Sequence, residues 1–496
     1  MNAVVKPREV FYFFLTSAAI LAFISAIMPE SGFRIFGIKV QFADIKDFLP
    51  ASQDLASAKA HADTTRLLRK DQIEFSEKPA LKESPVLTKR AILSYSGVTS
   101  PLARFYELQI RAEQQKVRIF HFGDSQIEND RISSLLREKW QSVLGGGGMG
   151  YLPANAWIPH LSAEHSNSSN WVRYTAFGKS HAEVPHRMFG PYQSFARFTA
   201  FDTSVCTDLA HAWIEVGASG RGYPKSRHYT LLKILLGNNL LPVELSISEN
   251  DVEIKKVHID PLPESDTVIS VQLQNPGSHV RIEFEGRHSP DVYGISLEST
   301  RGLVLDNVPM RGADGTSFSR SDIRQIERYM RRENTALIIM QFGGNAIPYL
   351  RDQTHGGHVA RQISHQVRLL SKISVNAPVL FIGPSDMAIK VKDKFVSHPL
   401  LSDFRDSLRY HTTQAGAAYF DLMEAMGGEG SMIRWVQSDP PLASTDYVHF
   451  TPAGARQAAE ILFEILESDK KKHIQLMKVQ STDKSHNNDT AQSPLE

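Results

Sequence analysis

The sequence predicts an α/β fold: a doubly wound, mostly parallel sheet in three layers, flavodoxin-like, interrupted by an inserted β-sandwich and preceded by an N-terminal transmembrane helix. Three observations predict it. Apolar strands alternate with amphipathic helices on either side of the middle of the chain, as a sheet covered on both faces requires. Between them runs a helix-free block of short alternating strands broken by turn-rich pieces such as GASGRGYPKS, NPGS and HSPD. An uncharged stretch opens the chain.

That stretch, Val10 to Met28, has about the length a helix needs to cross a bilayer and is longer than the core of an ordinary signal peptide. Lys6 and Arg8 precede it, so the positive-inside rule places everything after Pro29 outside the cytoplasm. The expectation is a single-pass signal anchor in the inner membrane over 1–30, with the rest on the periplasmic side. Residues 31–87, rich in Ala, Ser and Lys, read as a stalk. KVRIFHFG then leads into a helix carrying Ile132, Leu135, Leu136 and Val143 at helical spacing. The sandwich spans 166–304, with strands such as HAWIEVGA, PVELSISEN and HVRIEFEG. Beyond it the pattern returns to strand and helix: SRSDIRQIERYMRREN, ALIIMQFG, HVARQISHQVRLLSKI, PVLFIG, LSDFRDSLRYHTTQAG and AAYFDL. Thr451-Pro452 starts a last helix with Ile461, Leu462, Ile465 and Leu466. The α/β domain is therefore discontinuous, 88–165 and 305–468, and the polar residues 469–496 read as a disordered tail.

Bulk properties exclude some classes. A formal charge of +1 gives no footprint for nucleic acid. One cysteine, Cys206, permits neither an internal disulfide nor a cysteine zinc cluster. His355 and His358 lie close together but lack further ligands, so no metal and no cofactor is expected. GGGGMGYLP (Gly145–Pro153) lacks the Lys-Ser/Thr of a phosphate-binding loop and reads as a flexible or tightly turned loop near the crevice.

Three short segments can carry chemistry. Ser125, in Gly123-Asp124-Ser125-Gln126, follows the first parallel strand, where ligands bind in open α/β sheets. It is either a nucleophile or, with Glu128, an S-x-x-E capping box. Gly343-Gly344-Asn345 follows a second buried strand and is either a turn or the source of an amide donor to an oxyanion. Asp446 and His449 precede the last helix in a D-x-x-H pattern suited to a base and the carboxylate that orients it. That pattern occurs four times, also at Asp208/His211, Asp352/His355 and Asp483/His486, so position must decide. Asp352/His355 remains a competitor.

In this order the three segments resemble the SGNH (GDSL-type) hydrolase family over the α/β parts of the chain. The resemblance implies Ser125 as nucleophile, Asp446 and His449 as its partners, and Ser125, Asn345 and a glycine as oxyanion donors. The glycine falls on Gly312 in VPMRGADG, with Gly315 close enough to leave the choice open. Gln126 stands where the family often has Leu, and Ala346 where Asp often follows the Asn. With the interrupting sandwich, these departures resemble membrane-anchored peptidoglycan-type O-acetylesterases. The implied activity is removal of O-acetyl groups from acetylated peptidoglycan or another envelope or exported polysaccharide. One alternative is an O-acetyltransferase using the same triad beside a membrane acyltransferase. Another is a non-catalytic glycan-binding protein.

Overall fold

The computed structural model describes residues 33–35, 38–40, 92–155 and 157–490, with side chains from 92 to 479. The expected anchor, Val10 to Met28, and most of the stalk lie outside the described residues. Among the described residues no helix is long and apolar enough to cross a membrane. Phe33–Ile35 and Ile38–Val40 pair as an antiparallel hairpin belonging to an N-terminal unit of its own, Met1–Val86.

The second unit, Leu87–Glu496, is built on a six-stranded sheet. In chain order its elements are β1 (Leu93–Ser94), α1 (Ala103–Ile110), β2 (Lys116–Gly123), α2 (Ser133–Leu144), β3 (Gly302–Pro309), α3 (Ile323–Arg332), β4 (Thr335–Gln341), α4 (Gln353–Ile373), β5 (Val379–Ile382), α5 (Leu401–Gln414), β6 (Ala418–Phe420), α6 (Leu422–Ala425), α7 (Ser431–Gln437) and α8 (Pro452–Thr490). The sheet order is β3-β2-β4-β5-β6-β1, parallel except for β1. Alternation makes it three-layered. Phe120, Phe122, Ile338 and Met340 point into one core with α3, α4 and α5. Val117, Ile119, Leu337 and Ile339 point into another with α1, α2 and α8. Because β2 lies between β3 and β4, the loops after these three strands meet at one edge of the sheet, where ligands bind in such folds.

Between α2 and β3 the chain forms two antiparallel sheets. One orders Asp266–Gln272, Leu231–Gly237, Asp291–Glu298, Ser194–Arg197 and Val172–Thr175, with Gly150–Leu152 also on Asp291–Glu298. The other orders Val252–Ile259, Val243–Glu249, Val280–Gly286, Ala210–Ala218 and Ala163–Asn167. Ile234, Leu236 and Ile295 of the first share an apolar cluster with Ile214, Ile247 and Phe284 of the second. These strands begin at Gly150 and end at Glu298, whereas the sequence pattern suggests 166–304; Gly302–Pro309 is instead the edge of the parallel sheet.

Two other differences have plain causes. Gly145–Gly148 does not border the crevice. Gly145 O accepts from Leu303 N–H at 3.0 Å, and Leu303 pairs with Val117 at the opposite, amino ends of β2 and β3. The run is glycine because backbone passes too close: a Cβ on Gly147 would lie 2.0 Å from His228 O, and one on Gly148 2.2 Å from Leu297 O. At the other end the expected tail is helical through Thr490. Asp469 anchors it, buried and accepting from the hydroxyls of Tyr95 (3.3 Å), Ser100 (2.6 Å) and Tyr106 (2.9 Å).

Candidate active site

β2 ends at Gly123, where a side chain would meet Ile127 at 3.0 Å and Gln341 O at 3.1 Å. Asp124 then caps a 3₁₀ turn, Ser125–Asp130, its Oδ1 accepting from Gln126 N–H at 3.0 Å. The capping box, one of the two readings of Ser125, does not form. Glu128 leaves helical geometry (ψ 158°) and its buried carboxylate takes a two-pronged pair with Arg311, at 2.8 and 2.9 Å. The α-helix proper starts only at Ser133, so its amino end is two short turns away from Ser125. Burial pushes the Asp124 carboxyl up to about 6, against the opposing Gln126 N–H.

Ser125 Oγ lies 2.8 Å from His449 Nε2, across a separation of 324 residues. His449 Nδ1 lies 2.7 Å from Asp446 Oδ2. Asp446 Oδ1 accepts two further bonds, from Val448 N–H (2.9 Å) and His449 N–H (3.0 Å). Burial would raise this carboxyl, but the bonds from the His449 ring, His449 N–H and Val448 N–H bring it down to about 2. Asp446 is thus an anion at neutral pH and holds the proton on Nδ1, leaving Nε2 free to accept from the serine hydroxyl. Tyr447 at φ 58° makes the tight turn that folds His449 back over Asp446. The His449 and Asp446 side chains are 31% and 48% exposed, so water reaches this end of the chain of bonds.

The neighbouring strands complete the edge. After β4, Gly343 (φ 117°) starts a 3₁₀ turn and Asn345 Nδ2 donates to Ala313 O at 3.0 Å. This uses one amide proton and ties Asn345 to the loop after β3. In that loop Gly312 and Gly315 are both left-handed, but only Gly315 is packed, since a Cβ there would lie 2.9 Å from Phe342. Gly312 is exposed, with no atom within 4 Å of where a Cβ would stand.

The other D-x-x-H pairs are placed differently. Asp352 Oδ1 accepts from His355 N–H at 2.7 Å and caps α4. His211 lies 3.3 Å from Glu285 on an antiparallel sheet. Asp483 and His486 fall on α8 beyond the described side chains. His358 bonds Gln362 on α4, and among the described residues no group of three His, Cys, Asp or Glu could hold a metal. Sequence reasoning missed Gln126, whose amide reaches Val448 O at 2.6 Å, and the Glu128–Arg311 pair. The signal for the first is its polarity at a position where the family that the sequence resembles often has Leu.

No family model matches the chain, and no curated protein matches it. Among solved structures it superposes on a peptidoglycan O-acetylesterase, 20% identical, with a TM-score of 0.59 over 77% of this chain and 100% of that one. A salicylyl-acyltransferase from a tetracycline biosynthetic pathway is 12% identical, covering 61% of this chain and 93% of its own at a TM-score of 0.24. An acetyl xylan esterase from the rumen bacterium Butyrivibrio proteoclasticus is 10% identical, covering 62% and 98%, also at 0.24. The last two superpose too loosely for anything to be argued from them. With the peptidoglycan O-acetylesterase the likeness is one of fold.

Proposed function

We propose that this chain is a serine esterase that removes O-acetyl groups from a cell-envelope or exported polysaccharide through an acyl-enzyme. The observation that carries the reading is the unbroken line Ser125–His449–Asp446, at 2.8 and 2.7 Å. A serine needs a base to become a nucleophile, and here the base is aligned by a carboxylate. His449 Nε2 takes the proton as Ser125 Oγ bonds to the acetyl carbon and the carbonyl electrons move onto oxygen. The N–H groups of Ser125 and Gly312 and the second amide proton of Asn345 are the donors offered to that oxyanion, each typically worth about 3 kcal/mol. Collapse breaks the bond to the sugar oxygen, which leaves with the proton from His449. Water, deprotonated by His449, then attacks the acetyl-serine and releases acetate.

The exposure of His449 and Asp446 supports water rather than a glycan hydroxyl as acceptor, because acetyl transfer requires water to be kept out. A glycan-binding relic would have no reason to keep three groups in this geometry. The two antiparallel sheets are read as an inserted sandwich that shapes or extends the glycan site. The signal anchor and periplasmic location belong to the same proposal, on the strength of Val10 to Met28 behind Lys6 and Arg8.

The test is hydrolysis of p-nitrophenyl acetate and of an acetylated glycan by the wild type and by Ser125→Ala, His449→Ala and His355→Ala. The first two variants are expected to lose about 10⁴-fold or more in kcat, and the third to stay within about twofold. Equal activity in wild type and Ser125→Ala would sink the assignment.

A further inference from the structure

Asp446 orients the His449 ring only with respect to its own turn, because the two residues are three apart in one tight loop. Something else must hold that loop against the nucleophile. Gln126, the residue after Ser125, does so. It is buried, 8% exposed, and its Nε2 donates to Val448 O at 2.6 Å and to Ser385 Oγ at 3.4 Å. The Val448 carbonyl belongs to the peptide unit whose N–H is that of His449, so its direction sets the Cα from which the imidazole hangs. Ser385 follows β5. One amide thus joins the ends of β2 and β5 to the turn that carries the base. Arg131 Nη1 touches the same loop at Phe450 O, but at 3.3 Å and beyond the histidine.

The other atom of this amide argues for a role beyond stability. Gln126 Oε1 is buried and meets no protein donor among the described residues. An unpaired buried acceptor disfavours the folded state, whereas an apolar side chain of similar shape would carry no such cost. We infer that Gln126 is a positioning residue: by fixing the Val448–His449 peptide it keeps His449 Nε2 in line with Ser125 Oγ, without touching substrate. The inference rests on the esterase reading above.

The experiment measures kcat, KM and Tm for the whole protein and for Gln126→Met and Gln126→Leu, with Ser125→Ala beside them and p-nitrophenyl acetate as substrate. Met keeps the shape and length, so it carries the test if Leu fails to fold. The expected result is a kcat about 10- to 100-fold lower, KM within about twofold and Tm equal or higher. Unchanged kcat in both variants overturns the inference. So does kcat falling together with Tm, which marks a structural role, or KM rising with it, which marks substrate contact. Wild-type activity in Ser125→Ala instead overturns the esterase reading and this inference with it.

Discussion

Gly312 and Gly315 sit three residues apart with nearly the same backbone, φ +77° and +88°, yet for different reasons. Gly315 has no room, since a Cβ would press on Phe342; Gly312 faces open space beside Asn345's partner, Ala313. Alanine at either position incurs the left-handed strain, about 1–2 kcal/mol. Gly315→Ala adds overpacking of about 1–3 kcal/mol and is expected to lower Tm with a small change in kcat. Gly312→Ala is expected to lower Tm less and kcat more, by about tenfold or greater, since it disturbs the N–H that the proposed mechanism offers to the oxyanion. Thermal unfolding and steady-state kinetics on the two variants check this, and the reverse pattern would move the oxyanion donor to Gly315. At this scale the sequence was informative about position: Ser125 and Asn345 follow buried strands, and Asp446 and His449 precede a readable helix start at Thr451-Pro452. It was silent about Gln126 and Arg311, whose partners lie 322 and 183 residues away. The S-x-x-E match at Ser125 misled because Asp124, one residue earlier, takes the cap.

Strands with strong apolar runs were legible: β2, β4 and β5 fall within a residue or two of the segments read from the pattern. β3 was not, because it follows Glu298 after only three residues and its apolar run, Leu303–Leu305, is short before Asp306 and Asn307. Ala163–Asn167, with the sequence AEHSN, carries too little apolar signal. Also invisible was the hairpin Ala388–Val391 with Lys394–Ser397, which flanks the loop of Asp446 and His449. Ala388 N–H donates to Tyr447 O at 3.2 Å, and the Phe395 ring stacks on Tyr447 at 3.9 Å and 17°. The hairpin thus braces from outside the turn that Gln126 holds from inside. Aromatic pairs are worth about 0.5–1.5 kcal/mol, so Phe395→Ala is expected to cut kcat by about two- to tenfold with little change in Tm, and Phe395→Tyr to restore it. An unchanged kcat in Phe395→Ala would show that the loop holds its shape without the hairpin.

Across the whole molecule, the parallel sheet is joined to the antiparallel one by buried charge that no local pattern announces. Arg118 of β2 is fully buried, with Nη1 2.6 Å from Asp306 of β3, Nη2 on Glu298 of the antiparallel sheet and Nε 3.1 Å from Glu333 after α3. Lys233 bridges Glu333 at 2.6 Å and Glu298 at 3.3 Å, and Lys116 also reaches Glu298. Burial would raise Glu298, but Arg118, Lys233 and Lys116 bring it down to about 2; Asp306, shielded mainly by Arg118 and facing Glu298, is pushed up by its burial. Removing one partner of such a cluster costs about 3–5 kcal/mol because the remaining charges stay buried without it. Arg118→Met, similar in length, is therefore expected to lower the urea midpoint by that equivalent at pH 8. The pH dependence follows from where the protons sit. In the wild type Glu298 binds its proton far less readily folded than unfolded, so its contribution is present above the ordinary carboxyl range and lost toward acid. In the variant Asp306 loses its counter-charge and its carboxyl rises further, so the folded state takes up a proton that the unfolded chain releases. The variant's deficit should then shrink as the pH falls from 8 to 5. Urea titrations of both proteins at the two pH values measure it; an equal deficit at both would mean that no carboxylate around Arg118 takes up a proton between pH 8 and 5 in the folded variant.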